Sequence, residues 1–306
     1  MIIAHISDLH LLALDGAVPF RLLNKRLTGY LNLRFRRAAV HKAAAVRAAA
    51  REIRRLQVDH VVITGDVTNL ALEQEFELVR RLLDDDLAMP TDRVSIVPGN
   101  HDVYTGGSFR SERFCKYFAP YLHSDLPEAR VAGALPGFPF VKLRGPAAII
   151  GLSTALPRPP LFASGVLGSA QLDALSGILA HPEVARRTPI ILQHHPIHNP
   201  KRRVKRLMDG LVDAAAEMTT LAPIEQGLLL HGHLHRRIHR KVKTERGSLA
   251  SVGATSASLI HESDEKMGGF NIYEIAPERG RCTISSYRLV LATNNFREVS
   301  VPESSA

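Results

Sequence analysis

The side chains in this chain that are best suited to chemistry are carboxylates, imidazoles and one carboxamide, grouped in short motifs. They are Asp8, His10, Asp66, Asn100, His194, His233 and His235. Oxygen and imidazole donors without thiolate suit Mn, Fe or Zn better than Ca. The set is large enough to hold two divalent metal ions, and we take manganese as the first expectation among the three metals.

The spacing of these residues indicates how they would share the ions. Asp8 and His10 are two residues apart after an apolar run, so in an extended segment both side chains would point to the same side. The carboxylate of Asp66 has two oxygens and could bridge two ions. A glycine precedes Asp66, Asn100 and His233, and the missing Cβ permits sharp turns close to a site.

Such a site would be cationic, and its charge indicates the substrate. Two divalent ions carry more positive charge than two carboxylates remove, so a phosphate-bearing substrate would be attracted. Ions roughly 3.5–4 Å apart can activate a bridging water and hold both the attacking and the leaving oxygens of an in-line displacement. The residues therefore predict hydrolysis at phosphorus.

The elements that must position these motifs are predicted from the periodicity of apolar residues. β-branched runs at 2–6, 60–64 and 93–97 alternate with helical patterns at about 36–56 and 71–86. This order predicts parallel strands crossed by helices, with functional loops at the carboxyl ends of the strands. The motifs DLH, GDVTN and PGNHD follow the three strands, so they should meet at one sheet edge.

Beyond residue 140 the pattern predicts a hairpin, a helix, a strand and a further helix. They span 140–152, 169–179, 189–193 and 204–221. After GLLLHGHLH the chain consists of successive strand patterns, which predict a second, more antiparallel sheet. No repeat or composition break divides residues 1–306, so we expect one domain with a disordered tail at about 300–306.

The order of the motifs resembles that of the calcineurin-like metallophosphoesterases. The matching motifs are D-x-H at 8–10, GD at 65–66, GNHD at 99–102, H-x-P at 194–196 and GHxH at 232–235, and they cover about residues 1–240. The resemblance implies an α/β fold, a four-layer α-β-β-α sandwich of two mixed sheets flanked by helices. Among bacterial members, the layout is most similar to cyclic-nucleotide and glycerophosphodiester phosphodiesterases.

The resemblance also implies roles for individual residues. One ion would be held by Asp8, His10, Asp66 and His235, and the other by Asp66, Asn100, His194 and His233. His101 would lie beside the leaving group, donating a proton or stabilising charge, with Asp102 as its orienting partner.

Positive charge is concentrated in particular segments of the chain, whose formal net charge is +9. A basic, helical excursion at about 15–37 follows the first motif, and Arg21, Lys25 and Arg26 within it are candidate substrate contacts. This segment could be a lid, a membrane contact or plain packing. The basic run Lys201–Arg206 could also contact a large anionic substrate, or it could simply start a solvated helix.

The other histidines carry weaker signals. His195 is a candidate substrate contact, and we expect both His195 and His198 to be polar groups rather than ligands. His5, inside the first strand pattern, should lie in the core or behind the ligands. The histidines without a motif are His41, His60, His123, His181, His239 and His261.

Composition limits the setting in which the protein works. Two cysteines make neither a disulfide framework nor a thiolate metal site, and no apolar run reaches the ~20 residues that cross a bilayer. With no visible export signal, we expect a cytoplasmic protein, in contact at most with the inner face of the membrane. Without Trp or an aromatic-basic platform, nucleic acid is not an expected partner. The sequence predicts no oligomeric state.

Hydrolysis of a phosphodiester by metal-activated water is the leading functional hypothesis. The alternative is a peripheral-membrane hydrolase of a lipid-linked pyrophosphate, of the UDP-diacylglucosamine type, which the basic excursion favours. Phosphomonoesterase or protein phosphatase activity ranks third, because two ions discriminate poorly between ester types. A non-catalytic scaffold ranks last, since no ligand is missing. The expected partner is a phosphate-containing small molecule or lipid.

Overall fold

The residues described by the computed structural model are 1–14, 41–132 and 135–302. The predicted basic excursion at 15–37 lies outside them, and with it the candidate contacts Arg21, Lys25 and Arg26. Most of the predicted tail, from residue 303 onward, lies outside them as well. Within these ranges, no helix has the length and apolar character that spanning a membrane requires.

The strands of the described residues form two mixed sheets of six strands each. In chain order they are β1 (Ile2–Ile6), β2 (His60–Ile63), β3 (Val94–Ile96), β4 (Phe140–Arg144), β5 (Ala147–Gly151), β6 (Thr188–Leu192), β7 (Gln226–His231), β8 (Ile238–Lys243), β9 (Ser248–Gly253), β10 (Gly269–Ile275), β11 (Cys282–Val290) and β12 (Asn295–Val299). The first sheet has the order β12-β11-β10-β1-β2-β3 and the second the order β4-β5-β6-β7-β9-β8. The neighbours β1, β2 and β3 run parallel, as the sequence predicts.

Helices connect the strands and cover the sheets. The α-helices are α1 (Ala43–Arg55), α2 (Glu73–Arg81), α3 (Gly106–Arg110), α4 (Arg113–Phe118), α5 (Ser169–Ala180), α6 (Pro182–Ala185), α7 (Arg203–Asp209) and α8 (Ala214–Leu221). A π-helical turn, Leu82–Leu87, continues α2, so the helical pattern predicted at 71–86 is present with a change of winding at its end. Short 3-10 turns occur at Thr91–Arg93, Ala119–Tyr121 and Pro127–Ala129.

Successive side chains along the central strands of the second sheet alternate between two hydrophobic cores, and this alternation explains how the layers pack. In β5, Ile149 belongs to the core between the two sheets, whereas its neighbour Ile150 belongs to a second core that includes α5 and α8. Leu230 and Leu229 of β7 divide in the same way. Because successive strand residues point to opposite faces, a continuous apolar run serves a sheet covered on both sides. With α1 packed on the first sheet, the result is the predicted helix-sheet-sheet-helix sandwich.

The loops that follow β1, β2, β6 and β7 are tied together at one end of the sandwich. The backbone N–H of Asp8 donates to Gly65 O at 2.9 Å, and that of Gly232 donates to His194 O at 3.2 Å. Across the two sheets, the N–H of His233 donates to Asp8 Oδ2 at 3.2 Å. The motif loops of both sheets therefore converge on one place.

The prediction of a separate antiparallel sheet after GLLLHGHLH is wrong. Strands β8 and β9 complete the second sheet, where β9 pairs parallel with β7. Strands β10, β11 and β12 complete the first sheet, because β10 pairs antiparallel with β1. The alternation of a strand shows which of its faces is apolar but not which strand it pairs with, so the sequence pattern could not assign the strands to sheets.

The single helix predicted at 204–221 is divided into α7 and α8. Between them, Leu211 pairs with Gly165, and the Asn199 carboxamide binds Leu211 from both directions: it donates to Leu211 O and accepts from Leu211 N–H, each at 2.8 Å. These bonds use the backbone groups that a continuous helix would need. Gly210 ends α7 at this point.

Candidate metal centre

Five of the predicted ligands have a left-handed backbone conformation that residues other than glycine rarely adopt. Their φ angles are 50° at Asp8, 45° at His10, 51° at Asp66, 67° at His233 and 50° at His235. The prediction that Asp8 and His10 share an extended segment is therefore wrong, because tight turns after the strand aim their side chains. Such strained positions cluster at functional sites.

The first group of converging atoms contains Asp8, His10 and His235. His235 Nε2 lies 3.0 Å from Asp8 Oδ1, and His10 Nε2 lies 3.1 Å from His235 Nε2 and 3.9 Å from Asp8 Oδ1. The three ligand atoms lie within 4.8 Å of one another, which is close enough for all three to bind one ion. This spacing brings together residues from the loops after β1 and β7.

Asp66 connects this group to a second one. Its Oδ2 lies 4.0 Å from His10 Nε2 and 3.4 Å from His194 Nε2. Asp8, Asp66 and His194 form a further set of three atoms within 4.8 Å. Asp66 thus has the position that a carboxylate shared by two ions would need.

The hydrogen bonds of two histidines set which ring nitrogen faces the site. His194 Nδ1 donates to Thr64 O at 2.7 Å, and His233 Nε2 donates to Asp209 O at 2.9 Å. A carbonyl oxygen only accepts, so these nitrogens must carry the proton. His194 Nε2 and His233 Nδ1 are then left with the lone pairs that a metal ligand requires.

Buried polar atoms without hydrogen bonds test whether the residues fit metal ions. Among the described residues, His194 Nε2 and Asn100 Oδ1 are buried and have no hydrogen-bond partner. Leaving such atoms unsatisfied costs free energy, so native structures rarely do it without a reason. Both atoms belong to the oxygen and imidazole donor set that suits transition metals. The residues therefore fit the two ions that the sequence predicts.

The electrostatics of the cluster keep its carboxylates ionised. Burial by itself would raise the pKa of Asp8, but the charge and hydrogen bond of His235, together with the charge of His194, lower it. Burial opposes the ionisation of Asp66 as well, and the nearby His194, His101 and His10 still hold its pKa well below the usual range. Burial disfavours a charged His194, yet Asp66 raises the pKa of that imidazole to about 9, so the Asp66 carboxylate favours a cation, either a proton or a metal ion, at His194 Nε2. The buried anions thus draw positive charge to the centre.

His101 lies beside the cluster, but Asp102 does not orient it. His101 Nδ1 donates to Asn69 O at 2.7 Å, and the ring stacks on Tyr104 with centroids 5.3 Å apart. The Asp102 carboxylate is fully buried and accepts from the N–H groups of Thr68 and Gly99, each at 2.9 Å. Asp102 therefore holds two motif loops together, and the prediction that it partners the His101 ring is wrong. Burial, with the charge of Asp66 next, raises the pKa of Asp102 to about 7.

His195 lies behind the candidate ligands and contacts protein groups on both sides. Its Nδ1 is 2.8 Å from Thr154 Oγ1, its Nε2 is 2.7 Å from Ala163 O, and its ring centroid is 4.5 Å from that of His233. The side chain is fully buried. With both ring nitrogens hydrogen-bonded, His195 supports His233 and leaves no ring nitrogen for the substrate contact that we predicted.

Two residues near the centre, His41 and Asn69, are not among the predicted site residues. The ring of His41 lies 5.2 Å from that of His10 and 5.9 Å from that of His235, and its Nδ1 is 2.7 Å from Ser258 Oγ. Asn69 Nδ2 donates to His10 O at 2.6 Å. A lone histidine before a helix belongs to no motif, so only the folded chain shows that His41 reaches the site.

An open cleft of about 540 Å³ gives access to the centre. Its lining includes the candidate site residues Asp66, Asn100, His101, His233 and His235. Two lysines from separate segments, Lys205 and Lys266, also line it, together with His198 and His261. Of the predicted basic run Lys201–Arg206, Lys205 is thus the residue that reaches the cleft.

Comparison with protein-family models gives a match over most of the chain. The family model described as calcineurin-like phosphoesterase matches residues 1–237 of the chain. Comparison with curated proteins gives no match.

Solved structures show the same fold in distant proteins. A dimetal phosphatase from Danio rerio has a TM-score of 0.57 and 15% identity, covering 99% of each chain. A purple acid phosphatase from yellow lupin (Lupinus luteus) seeds has a TM-score of 0.59 and 11% identity, covering 94% of this chain and 51% of that one. A 5′-nucleotidase precursor from Thermus thermophilus has a TM-score of 0.50 and 15% identity, covering 96% of this chain and 55% of that one. This chain spans about half the length of the last two.

Proposed function

The chain belongs to the calcineurin-like phosphoesterase family, and we propose that it is a binuclear metal-dependent hydrolase of phosphodiesters. Membership of the family makes it a metal-dependent phosphoric ester hydrolase. The observation that carries the proposal is the position of Asp66, whose Oδ2 lies between His10 and His194, at 4.0 and 3.4 Å from their Nε2 atoms. A carboxylate between two groups of donors is what a pair of ions requires.

The proposed ligand sets extend the two groups of converging atoms by Asn100, whose buried Oδ1 has no hydrogen-bond partner, and by His233, which lines the same cleft. One set is Asp8, His10, Asp66 and His235, and the other is Asp66, Asn100, His194 and His233. When bound, two divalent ions would polarise a water molecule and neutralise charge on the phosphoryl group. The protein holds the donors ready for this, because Thr64 O and Asp209 O select the ring nitrogens of His194 and His233 that face the site.

His101 is the residue that we propose to assist the leaving group. A ring nitrogen of His101 lies within 4.8 Å of ligand atoms of His10 and Asp66. Asn69 O and the ring of Tyr104 hold the imidazole in one orientation. An imidazole so placed can donate a proton to a departing alkoxide, a step that side chains commonly accelerate.

The open cleft supports a diester rather than a small monoester as the substrate. A diester carries two substituents on phosphorus and needs space beyond the metal ligands. The cleft provides that space and two lysines, Lys205 and Lys266, with no ion pair to another described residue. Cationic side chains at this distance from the ions suit a substrate with further anionic or polar groups.

The test is an activity panel on protein whose metal content has been measured. The substrates are a bis-aryl phosphodiester, an aryl phosphomonoester, cyclic nucleotides and a nucleotide-lipid pyrophosphate, each assayed after loading with manganese. We expect metal-dependent turnover that is fastest on a diester. Preference for the monoester would contradict the diester proposal, and turnover that survives removal of the metal would contradict the binuclear mechanism.

A further inference from the structure

Large apolar side chains are exposed at the edge of the cleft that leads to the candidate metal centre. Their exposed fractions are 83% for Leu161, 69% for Val204, 58% for Leu207, 41% for Phe162 and 38% for Leu234. We call these residues the apolar rim. Helix α7, which carries Val204 and Leu207, has no buried residue at all. Exposed apolar groups that cluster, unlike scattered single ones, mark a surface that contacts a partner.

The members of the apolar rim come from segments that are bonded to one another. The N–H of Ala163 donates to Met208 O at 2.7 Å, which joins the segment after Leu161 and Phe162 to the end of α7. Leu234 lines the same cleft as Ala163 and Lys205. Val204 and Leu207 are three residues apart in α7, so they lie on one face of that helix. The rim is therefore one surface beside the centre.

The charge of this surface restricts what can cover it. The run Lys201–Arg206 has five basic residues and no acidic one. Within the described parts of the chain, none of these five makes an ion pair. Arginines elsewhere do pair, for example Arg51 with Asp86 at 2.7 Å. A partner of this surface must therefore offer negative charge and an apolar layer together.

We propose that the apolar rim and the run Lys201–Arg206 dock the protein on an anionic phospholipid surface. Anionic headgroups complement the five unpaired basic side chains. The acyl region just beneath them can receive Leu161, Phe162, Val204 and Leu207, as it does for amphipathic helices that lie in a membrane interface. Docking in this way brings the cleft to the lipid headgroups, because Lys205 and Leu234 line it.

The docked orientation also has a consequence for the substrate, and this part rests on the proposed function. A phosphate ester carried by a lipid would lie at the level of the headgroups, next to the mouth of the cleft. Lys205 and Lys266 would then meet the anionic headgroup, while the apolar rim stays with the acyl chains. The substrate class favoured by this geometry is a phosphodiester or pyrophosphate linked to a lipid.

Flotation of the full chain with vesicles tests the docking. We expect the protein to bind vesicles of phosphatidylcholine mixed with phosphatidylglycerol, to bind phosphatidylcholine alone much less, and to lose binding as salt rises. The double variant Val204→Asp/Leu207→Asp should lower the partition coefficient by about tenfold or more, because it puts charge into the apolar contact. Leu291→Asp is the matched control, since Leu291 is exposed in the turn between β11 and β12 of the first sheet, whereas α7 connects two strands of the second sheet.

Two results would overturn the docking proposal. One is that the wild-type protein fails to bind the anionic vesicles. The other is that the double variant binds the anionic vesicles as well as the wild type does. This holds even if the two substitutions convert a wild-type dimer to a monomer. Hydrolysis of a soluble bis-aryl diester distinguishes the docking proposal from the proposed function. The double variant should retain this hydrolysis even though it binds vesicles less. A wild-type protein that floats but hydrolyses no ester would refute the proposed function and leave the docking intact.

Discussion

At the scale of single residues, the candidate ligands are held in conformations that cost free energy. A non-glycine residue in a sparsely populated region costs on the order of 1–3 kcal/mol, and Asp8, His10, Asp66, His233 and His235 all have φ between 45° and 67°. The surrounding hydrogen bonds must therefore determine these conformations. An example is the bond from His10 N–H to Asp66 O at 3.0 Å, which ties two of the loops.

Loss of the Asp66 carboxylate should weaken the binding of both metal ions. Asp66→Asn removes the negative charge between His10 and His194, so we expect metal content to fall from two ions toward one or none. Turnover should fall by at least about 100-fold, the upper end of what loss of a mere outer-shell partner costs. Elemental analysis and initial rates measure the two effects. The control is Asp173→Asn, at an exposed position of α5; wild-type activity with a full complement of metal in Asp66→Asn would contradict the shared-carboxylate role.

His101 should affect turnover without affecting the metals. His101→Gln keeps a polar side chain but cannot donate a proton, so we expect kcat to fall by about 10²–10⁴-fold, most for diesters with poor leaving groups. A series of aryl diesters with leaving groups of graded pKa measures this. The control His123→Gln changes an exposed histidine. Equal slowing across the series would argue against proton donation.

At the scale of elements, the turns after the strands decide whether the ligands can meet. The glycine of the third loop is the clearest case, since a Cβ at Gly99 would lie 2.2 Å from Asp66 Oδ1 and 2.4 Å from Asp66 N. No side chain fits there without moving Asp66. In the preceding loop, a Cβ at Gly65 would lie 2.5 Å from Gly99 N, and the φ of Gly65 is +90°. The two loops can pack only because both positions lack a Cβ.

Gly99→Ala should therefore damage both the fold and the centre. We expect a loss of about 1–3 kcal/mol in the free energy of unfolding, as for other overpacked sites, and weaker metal binding because Asp66 is displaced. Denaturant unfolding and metal titration measure these effects. The matched control is Gly177→Ala in α5, where a Cβ meets nothing within 4 Å. That change should stabilise the protein by up to about 1 kcal/mol, the helix preference for Ala over Gly. Equal stability of the two variants would contradict the packing argument.

At the scale of the whole molecule, buried ionisable groups make stability depend on pH. Glu217 of α8 is fully buried, and its side chain accepts a hydrogen bond from Gln193 Nε2 at 3.3 Å. Burial raises the pKa of Glu217 from 4.5 to about 8. Between these two values the unfolded chain releases a proton that the folded chain keeps. Stability from this group therefore falls as pH rises from 4.5 to 8 and is level outside that window.

Glu217→Gln should remove this contribution. As pH rises through this window, the free energy of unfolding of the variant should increase relative to that of the wild type. The increase should be up to about 1.4 kcal/mol per pH unit. Urea unfolding at several pH values measures it. Glu262→Gln, at an exposed position, is the control. A difference that does not change with pH would contradict burial of a neutral Glu217.

The whole molecule also shows why some predictions failed. The sequence places no limit on which sheet receives β10, and its pairing with β1 became visible only in the folded chain. His41 approaches the ring of His10 because the chain returns to it, although the two are far apart in sequence. The partner of His101 is a backbone carbonyl, Asn69 O, and a carbonyl carries no sequence signal. Contacts of this kind depend on packing between distant segments.

The sequence by itself determined the order of the candidate donors, the strands β1, β2 and β3 with the helices α1 and α2 between them, and the family, because these depend on residue type and local periodicity. Tertiary structure alone decided which nitrogens of His194 and His233 face the site, since carbonyls of other segments select them. It also decided that Asp102 joins two loops and that the apolar rim lies beside the cleft. Long-range pairing and burial set these features, and neither is encoded in the spacing of neighbouring residues.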